Sequence, residues 1–148
     1  MSVRTILLLS AAILIASQAA SAATVAVLPF ENLSSQEDAS AQVQQRLADA
    51  FAKKGWTVAA PEQVDAALAE RRIRYVDALD DGNRTAVLAA TGASAYVSGS
   101  VYAFENGRNP VVSFSARMIR ADGTIAWGDV AGVAAKDTER LFSGAPAT

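Results

Sequence analysis

Residues 24–40 read TVAVLPFENLSSQEDAS, and the reading of this stretch decides the fold. Its first seven residues are nearly all apolar, without polar alternation, which is the pattern of a strand covered on both faces and central in its sheet. Ser34 followed by Glu37 makes a capping-box pattern, after which Val43, Leu47, Ala50 and Phe51 recur at helical spacing up to Lys53, Lys54 and a stop at Gly55. Trp56 to Ala59 then forms a short strand. The order strand, helix, strand predicts a right-handed parallel crossover.

Outward from this unit, Pro61 suits the first position of a second helix, where a missing amide proton costs little, and Val64, Ala67 and Leu68 give that helix an apolar side. A third, short helix spans Asn83 to Thr91 and ends at Gly92. From Ala95 the pattern changes to period two, which reads as antiparallel sheet. Asn106-Gly107 suits a two-residue type I′ turn and pairs Val101 with Val112, Gly99 with Phe114 and Val97 with Ala116. At the next turn a three-residue loop, Ala121-Asp122-Gly123, pairs Met118 with Ala126 and Phe114 with Val130. A two-residue loop would set Asp129 opposite Ala116 on a buried face, so the longer loop is favoured.

The expected fold is a mixed α/β domain with a five-stranded sheet in the order β-α-β-α-α-β-β-β, a short C-terminal helix, and helices mainly on one face. These registers leave Tyr96, Ser98, Ser100, Tyr102, Ser113, Ser115, Arg117, Ile119, Ile125, Trp127 and Asp129 on the opposite face. That face is either open for a partner or covered by a terminal helix at 136–142.

The 22 residues upstream of the mature start have a basic start at Arg4, an apolar run from Ile6 to Ala16 and small residues Ala20 and Ala22 at the A-x-A positions. This is the pattern of a secretory signal peptide, with a run too short to span a bilayer. Residues 23–143 then form one domain, and 144–148 a disordered tail. Removing the leader leaves 12 basic and 15 acidic side chains and a net charge of −3, which argues against nucleic acid and anionic lipid as partners. The basic triplet Arg71, Arg72, Arg74 reads as a solvated face at a helix end. The chain has no cysteine, hence no disulfide and no site for lipid attachment, and the expected location is the periplasm without an anchor.

With neither histidine nor cysteine, the commonest general base, thiol nucleophile and zinc ligands are missing. No G-x-S-x-G or S-x-x-K motif is present, and the opening loop has no glycine to bring backbone to a phosphate. The carboxylates of DALDDGN, Asp77 to Asn83, lack the alternating spacing of a calcium loop and read as a helix-capping turn. The expectation is therefore a non-enzymatic protein with no cofactor and no metal.

VAVLPFENLS, an amphipathic helix, a strand after KKGW, and TGASAYVSGSV over Gly92 to Val101 together resemble the shared core of the TolB amino-terminal domain and CsgG-like envelope proteins, a group that includes LpoB-type lipoprotein activators of peptidoglycan synthases. ARMIRADGTIAW, Ala116 to Trp127, resembles the hairpin that follows in that group. The resemblance covers nearly the whole mature chain. It implies a non-enzymatic envelope protein that binds another protein or assembles with further copies. The missing lipid-attachment cysteine and the lack of a segment long enough for membrane hairpins depart from the group's lipoproteins and secretion pores.

Two binding surfaces follow. The first is a partner surface on the open sheet face, carried by Tyr96, Tyr102, Arg117 and Trp127. The second is a small-ligand cleft at the carboxyl end of the first strand, where Phe30, Glu31 and Asn32 sit. The competing account of these three is a capped turn with Phe30 as a hydrophobic staple.

Overall fold

A computed structural model describes residues 23–108 and 110–134. The leader, the terminal helix expected at 136–142 and the tail at 144–148 lie outside the described residues. Strands β1 (Thr24–Val27), β2 (Glu31–Asn32) and β3 (Thr57–Val58) accompany helix α1 (Ala39–Lys53) in the first part of the domain. Helices α2 (Pro61–Glu70) and α3 (Asp81–Thr91) follow, then the long strands β4 (Ala95–Glu105), β5 (Val111–Arg120) and β6 (Ile125–Ala134). The sheet order is β3-β1-β4-β5-β6, with β2 extending the lane of β1 alongside β4. β1 is parallel to both neighbours, and the β4-β5-β6 half is antiparallel. The mixed α/β architecture and the central first strand are as the sequence predicts.

The distribution of the helices differs from the expectation of one covered face. The crossover from β1 to β3 moves one way across the sheet, and the connection from β3 to β4 moves back past β1. Right-handed connections running in opposite directions place their helices on opposite faces. Two cores result. On the α1 face, Val25, Val27, Phe30, Val97, Val101, Phe104 and Met118 pack beneath Ala39 and Val43. On the other, Ala26, Leu28, Tyr96 and Ile119 pack beneath Val64 and Leu68 of α2 and Val87 and Leu88 of α3.

The helix ends show which local signals operate. Pro61 opens α2 as expected. Asp80 caps α3 by accepting the Asn83 amide at 2.8 Å, and Gly92 closes that helix in the left-handed region at φ 67°. The capping box at Ser34 and Glu37 does not form. Asn32 Oδ1 accepts instead from the Ser34 amide at 3.0 Å and from its hydroxyl at 2.7 Å, which folds 32–37 into a side-chain-stabilised turn and delays the helix to Ala39.

Both hairpin registers depart from the expected pairings beyond their turns. β4 and β5 end in a Glu105–Val111 pair, so residues 106–110 connect them instead of a two-residue turn at Asn106-Gly107. The short turn would have placed Pro110, which has no amide proton, at a ladder position. Val101 therefore pairs with Phe114, Gly99 with Ala116 and Val97 with Met118, a slip of two residues that preserves the faces. A bulge at Tyr102 then brings Phe104 into the α1-face core, 1% exposed.

The second turn is the three-residue loop, with Gly123 at φ 86° and the Arg120 amide donating to Thr124 O at 2.9 Å. Asp122 accepts from both the amide and the hydroxyl of Thr124, which holds its carboxyl below the usual range. A bulge at Ala126 shifts the rest of β6, so that Met118 faces Trp127, Ala116 faces Asp129 and Phe114 faces Ala131. Asp129 is exposed there because the outer strand extends past the core, which removes the penalty that argued against this pairing.

Candidate functional site

The residues expected to share an open face are divided by the fold. Tyr96 is 1% exposed and forms part of the α2–α3 core. Burial raises its phenol pKa above the ordinary value, while a backbone hydrogen bond at Leu79 and the charges of Arg84 and Arg117 oppose the shift. Trp127 lies on the other face, where the bulge at Ala126 turns it toward α1 and stacks it on Phe51 with ring centroids 6.4 Å apart. Neither residue belongs to a common surface with Tyr102 and Arg117.

The ligand-cleft residues are occupied by the fold itself. Phe30 is 4% exposed and meets Phe114 edge-on at 6.4 Å, and its carbonyl accepts from the Ser40 hydroxyl at 2.5 Å. Glu31 accepts from the Ser100 hydroxyl at 3.2 Å, and the Asn32 side-chain Nδ2 donates to Gln36 O at 2.6 Å. The region after β1 is thus a knitted turn with a buried aromatic anchor.

Beyond the reach of α2 and α3, the same sheet face carries small side chains. By strand register Ser98, Ser113, Ser115 and Gly128 share this half of the face. A hollow of about 490 Å³ opens here, lined by Asp77, Ser98, Ser115, Arg117, Gly128, Asp129 and Val130. Arg117 crosses from β5 to the connection between α2 and α3, pairing with the Asp77 carboxylate at 3.1 Å and donating to its carbonyl. Ser98 donates to the same carbonyl at 3.3 Å. At the far side, the Tyr102 and Ser115 hydroxyls lie 3.1 Å apart, with Tyr102 half exposed and Val130 70% exposed.

This arrangement offers hydroxyls, one neutralised ion pair and exposed apolar groups, which together suit binding. Among the described residues no cluster of three or more metal-ligating side chains occurs, and no helix is long and apolar enough to cross a membrane. Sequence reasoning identified Tyr102 and Arg117, and missed Asp77 and Val130 as their neighbours. Asp77 had no sequence signal linking it to a residue 40 positions away. Simple alternation from the three-residue loop puts Val130 opposite Phe114 on the covered face, and the bulge at Ala126 moves it opposite Ser115 on the open one.

No protein-family model matches the sequence, and no curated protein sequence matches it. Solved structures do. The lipoprotein GNA1162 from Neisseria meningitidis matches with a TM-score of 0.65 at 16% identity, over 82% of this chain and 94% of that one. The LpoB C-terminal domain from Salmonella enterica matches with a TM-score of 0.55 at 17% identity, over 79% and 90%. A PelC chain from Paraburkholderia phytofirmans, solved as a dodecamer, matches with a TM-score of 0.50 at 17% identity, over 76% and 72%. The chain thus shares its fold with the GNA1162 lipoprotein and with the LpoB C-terminal domain.

Proposed function

We propose that the chain is a non-enzymatic accessory protein of the bacterial envelope, exported to the periplasm, that works by binding a protein partner or assembling with further copies. The observation that carries this reading is the match over 94% of the GNA1162 lipoprotein, which leaves little of that fold without a counterpart here. The TolB-like and CsgG-like motifs of the sequence point the same way. PelC, with the same fold, assembles as a dodecamer. Without a cysteine, this chain would act without the lipid that GNA1162 is named for.

The docking surface is assigned to the uncovered half of the α2–α3 face, centred on Tyr102, Arg117 and Val130. Tyrosine and arginine are the residue types most often found as interface anchors, and the serine and glycine floor admits close approach. The cleft after β1 is the weaker site, because Phe30, Glu31 and Asn32 are already bonded within the fold.

In-cell photocrosslinking tests this reading. A photoreactive residue at position 102 or 130 is expected to capture a discrete protein band, whereas one at Arg46, exposed on α1, is not. Equal capture from all three positions, or none from any, would reject the assignment.

A further inference from the structure

Among the described residues the ion pairs are Arg84–Asp81 and Arg117–Asp77, and none of Arg71, Arg72 and Arg74 takes part in one. All three are exposed, in a chain whose net charge is −2. The acids that follow them are committed elsewhere. Asp77 holds Arg117, Asp80 caps α3, and Asp81 holds Arg84. Glu70, the last residue of α2, forms no ion pair with them, and Arg71 has only the Asn83 side-chain oxygen, at 3.1 Å. Beside this unneutralised cluster, Tyr75 is 87% exposed.

The backbone adds a second observation. The Arg72 amide donates to Ala69 O at 3.0 Å and the Ile73 amide to Leu68 O at 2.9 Å, the paired bonds of a helix stop that normally places glycine at its turning residue. Arg72 holds that position at φ 53°, the one non-glycine residue with positive φ among those described. Ile73 packs against the core on one side of the turn, and on the other Asp77 is tied to the sheet by Arg117 and Ser98. The arginines and Tyr75 are therefore displayed on a connection fixed at both ends.

We propose that Arg72, Arg74 and Tyr75 form the recognition tip for an acidic segment of the partner protein, on the same connection that carries Asp77 of the hollow. The proposal rests on the partner-binding reading for the class of partner and adds its chemistry. Guanidinium groups accept carboxylates in bidentate pairs, and a neighbouring tyrosine supplies apolar contact at low entropy cost. A membrane surface fits less well, because lipid-binding clusters carry roughly four to eight basic residues. Nucleic acid fits less well again, because its binding rests on neutralising many phosphates with lysine and arginine, and this chain is acidic overall.

The test is fluorescence anisotropy with labelled deca-glutamate, and deca-glutamine as control, on the exported protein. Deca-glutamate alone is expected to bind, and to weaken between low ionic strength and about 0.15 M salt. Arg72→Gly and Arg74→Gln are each expected to weaken it by about two- to five-fold, and Tyr75→Ala to weaken it also. Arg72→Gly should melt no lower than the parent, since glycine suits the turn, so its loss of binding cannot be assigned to unfolding. Equal binding of both peptides, unchanged affinity in the arginine variants, or an equal loss in Arg46→Gln would overturn the proposal. Phosphatidylglycerol vesicles bound through the same arginines, in place of the peptide, would overturn it in favour of a membrane surface. Crosslinking from position 102 does not require these arginines, so a failure of the peptide experiment leaves the partner reading to stand or fall separately.

Discussion

At Gly99 the chain has no room for a side chain. A Cβ there would sit 1.9 Å from the Ser115 carbonyl oxygen and 2.7 Å from the ring of Phe30. The first contact is backbone and cannot move without opening β5, so Gly99→Ala is expected to cost about 3 kcal/mol, the upper range for overpacking. Gly107→Ala is the control, since a Cβ there meets nothing within 4 Å. Urea unfolding that ranks the two variants equally would contradict the close approach of the Ser115 carbonyl of β5 to Gly99. Tyr96 makes a different claim. Its pKa is raised in the folded state, so its contribution is fully present below the unfolded value of 10.0 and is lost as pH rises above that. Stability should decline from about pH 10 upward, and Tyr96→Phe should flatten that decline. At this scale the sequence was readable where a residue acts on its neighbours in the chain, as with Pro61, Asp80 and Gly92. It was ambiguous at Asn32, whose side chain competes locally with the Ser34 capping box, and unreadable where the partner is remote, as with Tyr96 covered by two helices.

Turn chemistry and bulges together decide where the side chains of β4, β5 and β6 go. The three-residue loop at 121–123 was legible because a glycine sits where the left-handed region is needed, yet the bulges at Tyr102 and Ala126 carry no local signature and re-aim everything beyond them. Trp127 shows the consequence. Alternation placed it with Arg117, whereas the bulge turns it to the opposite face and onto Phe51, which also meets Trp56 edge-on at 5.8 Å. Trp127 keeps 38% exposure, so Trp127→Ala is expected to cost about 2 kcal/mol, less than emptying a fully buried site. A double-mutant cycle with Phe51→Ala should return a coupling of about 0.5 to 1.5 kcal/mol, the range for an aromatic pair. Additive losses would place the two rings apart.

Across the whole molecule, the two crossovers running in opposite directions explain why α1 lies on one face and α2 with α3 on the other. The right-handed unit is legible in the sequence, but the return of β4 beside β1, which puts α2 and α3 on the opposite face, is set by strand order and has no local signal. The same division decides what is core and what is surface: α1 covers Trp127's face, and α2 and α3 cover only the Tyr96 end of theirs. On the proposed function, a partner docks on the uncovered remainder, with Tyr102, Arg117 and Val130. The most direct test is a paired measurement of urea unfolding and of partner crosslinking from position 102 in Val130→Lys and Trp127→Ala. Val130→Lys is expected to stay within about 1 kcal/mol of the parent in stability, as for an exposed strand position, but to lose the crosslinked partner. Trp127→Ala is expected to be destabilised yet to retain the partner while folded, and the reverse pattern, binding lost with Trp127 and kept with Lys at 130, would contradict that docking site.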